Sequence, residues 1–199
     1  MSPKLFSVSE KEKLKEKMFY AGLELLKQYG MTHMSVEKIT QAAGIGKSTF
    51  YNFFMSKEEF VVALIEFNRH RFWKTITQML GEREALTVPE SKQVLRSIIN
   101  AKDSVYQYLT AEDEKKLSEV MPEKMGPDLQ EETEVLRRLF TLFEGVRSDV
   151  DYAVTSNLLK LLAITAEHKG DLHEAGYAKT QELLFKTLFD GIFEEDHND

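Results

Sequence analysis

Residues 32–60 read THMSVEKITQAAGIGKSTFYNFFMSKEEF. The stretch spells a short helix, a glycine turn, a second short helix and the capped start of a third, which is the layout of a helix-turn-helix reader. Ser35 is placed to N-cap the first helix, with Glu37 in its first turn, where a carboxylate suits the helix dipole. Val36, Ile39, Ala42 and Ala43 recur at spacings of three and four, so one face is buried. Gly44 falls where that helix must stop, and glycine enters the left-handed conformation there without steric cost. Ile45 plugs the angle between the helices. Gly46 caps the second, and Phe50, Phe53 and Phe54 anchor its back as core residues.

A helix lying in a major groove presents short or basic side chains at its N-terminal end, where base edges are nearest. Lys47, Ser48, Thr49 and Asn52 meet that need and are the candidate base contacts. Lys47 suits guanine O6 or N7, or a phosphate; the Thr49 methyl suits thymine. Tyr51, with a ring to pack and a hydroxyl to donate, Lys57 in the first turn of the next helix, and Thr32, His33 and Ser35 are candidate phosphate contacts. Phosphate contacts position a protein and base contacts specify sequence. The bland reading is a three-helix packing unit in which Lys47 is merely solvated, Tyr51 is a surface ring and Ser35 is only a cap.

The run AAGIGKSTFYNFF (Ala42 to Phe54), followed by Ser56-Lys57-Glu58-Glu59, resembles the DNA-binding region of the TetR family of bacterial transcriptional regulators. The close likeness spans roughly residues 10–60, about a quarter of the chain; the remainder resembles the family in length and helical texture. Two positions depart from the family pattern. Thr40 stands where alanine is usual, and its hydroxyl is expected to return to a backbone carbonyl. Gly46 stands where serine is usual, which removes a cap or phosphate contact. The resemblance implies an all-α, TetR-like fold: an N-terminal three-helix bundle with the helix-turn-helix (residues 1–56) and a C-terminal helical domain (57–199) that binds an effector and dimerises. It also implies that Tyr51 donates to a phosphate, and that ligand occupation changes the separation of the two readers.

The rest of the composition fits this. The net charge of −7 is unevenly spread. Residues 1–60 hold nine Lys and Arg against seven Asp and Glu, net +2; residues 61–199 hold seventeen against twenty-six, net −9. A mildly basic head on an acidic body turns the head toward phosphate. The chain has no cysteine, so disulfides and thiolate metal sites are excluded. The N-terminus lacks an apolar core of signal-peptide length, and no apolar run approaches the ~20 residues that span a bilayer, so a cytoplasmic protein without membrane association is expected.

Periodicity and punctuation predict further helices. The first starts near Ser7 or Ser9, since Ser9-x-x-Glu12 fits a capping box, and runs to Gly30. Others are expected from Ser56 to about Leu80, Glu90 to Leu109, Ala111 to Val120, Leu129 to Gly145, Asp149 to about Glu167, and His173 to Phe193. The breakers Pro122, Gly126 and Pro127 separate two of them. Leu158, Leu161, Leu162 and Thr165 on one helix, and Leu184, Phe185, Leu188, Phe189 and Ile192 on the last, form stripes expected to build a four-helix dimer interface, with internal packing as the alternative. Phe67, Arg71, Trp73, Tyr106, Tyr108, Phe140, Phe143 and Tyr152 are candidate effector-pocket residues.

Enzymatic readings find no footing. His33, His70, His168, His173 and His197 form no metal-ligand spacing, and Glu167-His168 with His173-Glu174 lack a defined ligand geometry. No catalytic residue, metal or cofactor is expected. The function expected is a sequence-specific DNA-binding transcription regulator. A homodimeric repressor is expected, released from a palindromic operator in double-stranded DNA by an unknown small-molecule effector. The alternatives are an all-helical binding or assembly protein with a vestigial reader, and an all-helical enzyme.

Overall fold

The structure is a computed structural model and describes residues 7–100, 105–121 and 129–194. Among these residues the ordered elements are helical: α1 (Val8–His33), α2 (Val36–Ala43), α3 (Lys47–Tyr51), α4 (Lys57–Leu80), α5 (Val88–Asn100), a 3₁₀ turn (Val105–Tyr108), α6 (Ala111–Val120), α7 (Leu129–Phe140), α8 (Tyr152–Glu167), a second 3₁₀ turn (Lys169–Asp171) and α9 (Glu174–Ile192). The all-α expectation holds.

Helix ends follow local chemistry. The capping box at α1 is Ser7 with Glu10 rather than Ser9 with Glu12: Ser7 Oγ accepts from the Glu10 amide at 3.3 Å, and Glu10 answers at 2.8 Å. Gly30, at φ 66, breaks the helical path where a stop was expected, and one more turn follows to His33. The helix expected over 90–109 ends at Asn100. Val105–Tyr108 forms a 3₁₀ turn, and residues 101–104 lie outside the described residues. The helix expected to reach Gly145 ends at Phe140. The chain there turns through Leu142, whose carbonyl accepts from Leu86, and Gly145 takes φ 66. Pro122, Gly126 and Pro127 lie outside the described residues.

The chain divides into two compact units, Met1–Phe72 with Asp103–Gly126, and Trp73–Lys102 with Pro127–Asp199. The division differs from a boundary at residue 56 because α4 serves both units, its first sixteen residues packing with the reader. The first unit is built on a phenylalanine cluster. Phe60 stands 5.7 Å from Phe19, 5.6 Å from Phe50 and 5.2 Å from Phe54, with Met18, Leu26, Ile39 and Leu64 buried around it. Each such ring removed from water contributes about 1.5–3 kcal/mol. Val105, Leu109 and Leu117 join the same core.

Gly22, inside α1, shows how closely α1 and α4 approach. A Cβ at Gly22 would lie 2.5 Å from Phe60 Cζ, and Phe60 is fully buried. Alanine normally gains about 1 kcal/mol over glycine inside a helix. Here overpacking, which costs about 1–3 kcal/mol, opposes that gain. Gly22→Ala is therefore expected to lower the urea midpoint; a raised midpoint would show that the ring has room to move.

In the second unit α8 packs on α5, α7 and α9. Arg83 and Thr87 hold Glu90 at the start of α5, bringing its carboxyl down to about 2. Arg96 grips Glu182 with two bonds of 3.0 Å while lying over the Phe185 ring. Gln181 donates to Thr165 Oγ1 at 2.7 Å, tying α9 to α8.

Candidate nucleic-acid interface

The reader assembles from α2 and α3. Ser35 Oγ accepts the Lys38 amide at 3.3 Å and opens α2. Gly44 closes it at φ 61, ψ 41, its amide reaching Gln41 O and the Ile45 amide reaching Thr40 O. Thr40 is buried, and its hydroxyl donates to Glu37 O at 3.0 Å, the backbone return expected of it. Gly46 begins α3 in extended conformation with no side-chain cap. Past α3 the chain makes one further turn, Phe53 and Phe54 both donating to Phe50 O.

This architecture splits the α3 side chains cleanly. Phe50 is fully buried and Phe54 nearly so, while Lys47, Ser48, Tyr51 and Asn52 are exposed and Thr49 is half-buried. Tyr51 stands edge-on to Phe50 at 5.5 Å, so a core ring props it outward. Of the candidate base contacts, Lys47, Ser48 and Asn52 thus share one exposed rim with an aromatic backing, and Thr49 lies half-buried beside it.

The candidate phosphate contacts are less uniform. Ser35 is half-buried in its capping role, and His33 is exposed with its carbonyl taken by Lys38 Nζ at 2.9 Å. Thr32 turns its hydroxyl toward Asp113 Oδ1 of α6, at 3.5 Å. Lys57 sends its ammonium to Met31 O at 2.9 Å, closing the end of α1. Its amide remains at the α4 N-terminus, beside Ser56 Oγ, which accepts from Glu59 N at 3.0 Å. Glu59 reaches back to accept from the Met55 amide.

Two charged residues were not among the sequence candidates. Glu37, read from sequence only as a first-turn carboxylate, forms an ion pair with Lys47 across the turn. The hydrogen bond from Lys47 holds the Glu37 carboxyl below its ordinary value, and the same bond raises the Lys47 ammonium. Lys17 of α1 lies at the turn itself, its Nζ 3.5 Å from where a Gly44 Cβ would stand. The ten-residue separation of Glu37 and Lys47 across a glycine turn matches no helical spacing. Lys17 is one of several lysines on α1, and its sequence spacing does not single it out.

The stripes expected to dimerise are divided by the fold. Leu162, Phe185, Leu188, Phe189 and Ile192 are buried in their own unit, and Leu158, Thr165 and Leu184 are half-buried. Helical geometry explains this: neighbouring residues point about 100° apart, so Leu162 faces inward while Leu161, 48 % exposed, faces out. Val154 and Ile164 share the outer side of α8, and Leu183 is exposed on α9.

The pocket candidates fall in both units and are engaged in packing. Phe67 stacks on Phe19 at 4.8 Å, and Arg71 lies over Tyr20. Tyr108 packs against the first core. In the second unit Phe140 contacts Phe143 and Tyr152, and Arg138 lies over Trp73. The side chain of Tyr106 lies outside the described residues. His168 meets Asp171 at 3.3 Å, and His197 is outside the described residues. Among the described residues no three His, Asp or Glu gather as a metal site, and no helix is long and apolar enough to cross a membrane.

The family model for bacterial regulatory proteins of the tetR family matches residues 20–64, which contain the whole reader. The HTH-type transcriptional repressor NemR of Escherichia coli is 31% identical over 70 residues, 35% of either chain. The match thus spans about a third of that relative's length. Whole-chain likeness comes from solved structures. A TetR transcriptional regulator of Streptomyces coelicolor superposes with a TM-score of 0.63 at 19% identity, over 91% of this chain and 99% of the other. NalD of Pseudomonas aeruginosa, the secondary repressor of the MexAB-OprM multidrug efflux pump, gives 0.56 at 16% identity, over 93% and 99%. At these identities the likeness is one of fold.

Proposed function

We propose that this chain, a member of the TetR family by its residues 20–64 and by its fold, is a cytoplasmic, homodimeric DNA-binding repressor whose operator is an inverted repeat. One observation carries the reading: Lys47, Ser48, Tyr51 and Asn52 share an exposed rim fixed from behind by buried Phe50 and Phe54. Such a rim offers donors to base edges without first having to be ordered. Lys47, Ser48, Thr49 and Asn52 act as the base contacts. Tyr51, Ser35, His33 and the Lys57 amide act on phosphates; Thr32 contributes after release from Asp113.

The dimer face in this reading is the outer side of α8 with Leu183. An exposed apolar patch of this kind is ordinarily covered by a partner, and an isologous pair satisfies both copies at once. Pairing sets two α3 helices about one DNA turn apart, ~34 Å. A small molecule that binds better to a misaligned dimer draws the population off DNA. The repressor reading draws support from NemR and NalD, which are themselves repressors.

Selection from randomised duplexes tests this. We expect an inverted repeat to be enriched. Lys47→Ala is expected to change the preferred bases at one position per half-site, a loss of about 1–3 kcal/mol in discrimination. Tyr51→Phe should weaken all duplexes alike, by about 1 kcal/mol for a lost hydrogen bond. If no duplex is enriched, the helical binding or assembly role with a vestigial reader replaces this reading.

A further inference from the structure

The ion pair between Glu37 and Lys47 is unusual for a surface meant to meet phosphates. A carboxylate beside the base-contact rim repels DNA, so its presence at that place calls for an occupant that wants it. Glu37 is exposed and joins α2 to the start of α3 through its ion pair with Lys47. The adjacent Lys38 is turned the other way, its ammonium over the Tyr29 ring at 4.4 Å and donating to His33 O. Ser35, which caps α2, lowers the Glu37 carboxyl slightly further. The unit presented outward is therefore a donor and an acceptor held side by side.

We propose that Glu37 and Lys47 together read one G·C base pair, Lys47 donating to guanine O6 or N7 and Glu37 accepting from the cytosine N4 amino group. This rests on the reading that α3 enters the major groove. In that groove guanine shows acceptors and cytosine a donor, and acidic side chains are suited to cytosine N4. Guanine O6 and cytosine N4 are hydrogen-bonded to each other, about 2.9 Å apart. An ammonium and a carboxylate that are already neighbours can each meet one of these two adjacent groups without first being brought together. At an A·T pair the arrangement of donor and acceptor differs, and the carboxylate meets thymine O4, another acceptor. On non-cognate duplex Lys47 stays with Glu37 and neutralises no phosphate. The pair thus rewards one base pair and penalises the rest, which is how specificity gains from a repulsive element.

The test compares wild type and Glu37→Gln by fluorescence anisotropy. The probes are the selected duplex, variants of it with each G·C pair changed in turn to A·T, and a duplex of random sequence. We expect one G·C position per half-site where the change costs wild type about tenfold or more, within the range of a good base contact, and costs Glu37→Gln at least about threefold less, the remainder being what Lys47 reads alone. Random duplex should bind Glu37→Gln more tightly than wild type, with a steeper dependence on salt. The site is exposed, so the variant should melt as wild type does; Glu37→Ala repeats the comparison with the acceptor gone altogether. A wild type that selects a duplex while no G·C position separates it from both variants overturns the pairing alone. A wild type that selects nothing overturns the reader itself, and the pairing with it.

Discussion

Leu161→Glu is expected to halve the particle mass in sedimentation and to abolish tight operator binding while leaving the protomer folded. Leu161 is 48 % exposed in the single chain, so a glutamate there keeps its hydration until a second chain approaches. Pairing would bury two like charges against the apolar Val154 and Ile164, and charges are buried at heavy cost without a partner. Two linked readers gain about 10²–10⁴-fold in affinity over one, so a monomer should lose a factor of that order. Leu162→Glu gives the contrast. That side chain is 0 % exposed inside its own unit, and the change should unfold the unit rather than separate the chains. An unaltered mass for Leu161→Glu would place the interface elsewhere.

Phe50→Ala should produce the largest loss of stability in the reader. Phe50 is fully buried and lies 5.5 Å from Phe54 and 5.6 Å from Phe60, at the point where α3 meets the first core. Removing such a ring costs about 3–5 kcal/mol, from lost burial and from the cavity left behind. Natural domains are stable by only about 5–15 kcal/mol. The first unit should therefore melt well below the second, and thermal unfolding followed by circular dichroism should separate into two steps. Duplex binding should disappear with the first step. A single transition at the wild-type temperature would contradict the role given to this ring.

The sequence disclosed what local chemistry decides. Gly44 had to be left-handed, Ser35 had to cap, and Thr40 had to return its hydroxyl; all three follow from neighbours within five residues, and each is seen. Partnerships across the chain were not legible. Lys57 reads as a phosphate clamp because its position at a helix start is local, whereas its bond to Met31 O depends on how α1 ends beside α4. Thr32 likewise answers to Asp113, far along the chain. The apolar stripes of α8 and α9 were recognised, but an adjacent pair such as Leu161 and Leu162 cannot reveal which member faces the core. Only the position of α5, α7 and α9 against α8 settles that. The shortened α5 shows a related limit, since Val105 and Leu109 are buried on the first core through a 3₁₀ turn and its neighbour rather than a continued helix.

The absence of cysteine makes one experiment unusually clean. Met55→Cys places a unique thiol just past α3, at a position 87 % exposed and outside the named DNA contacts, to which a DNA-cleaving iron chelate is attached. On the selected operator, cleavage should fall in two clusters opening from the major groove, about 10 base pairs apart and related by the inverted repeat. Cleavage spread evenly along the duplex, or none while the protein remains bound, would mean that α3 does not enter the groove.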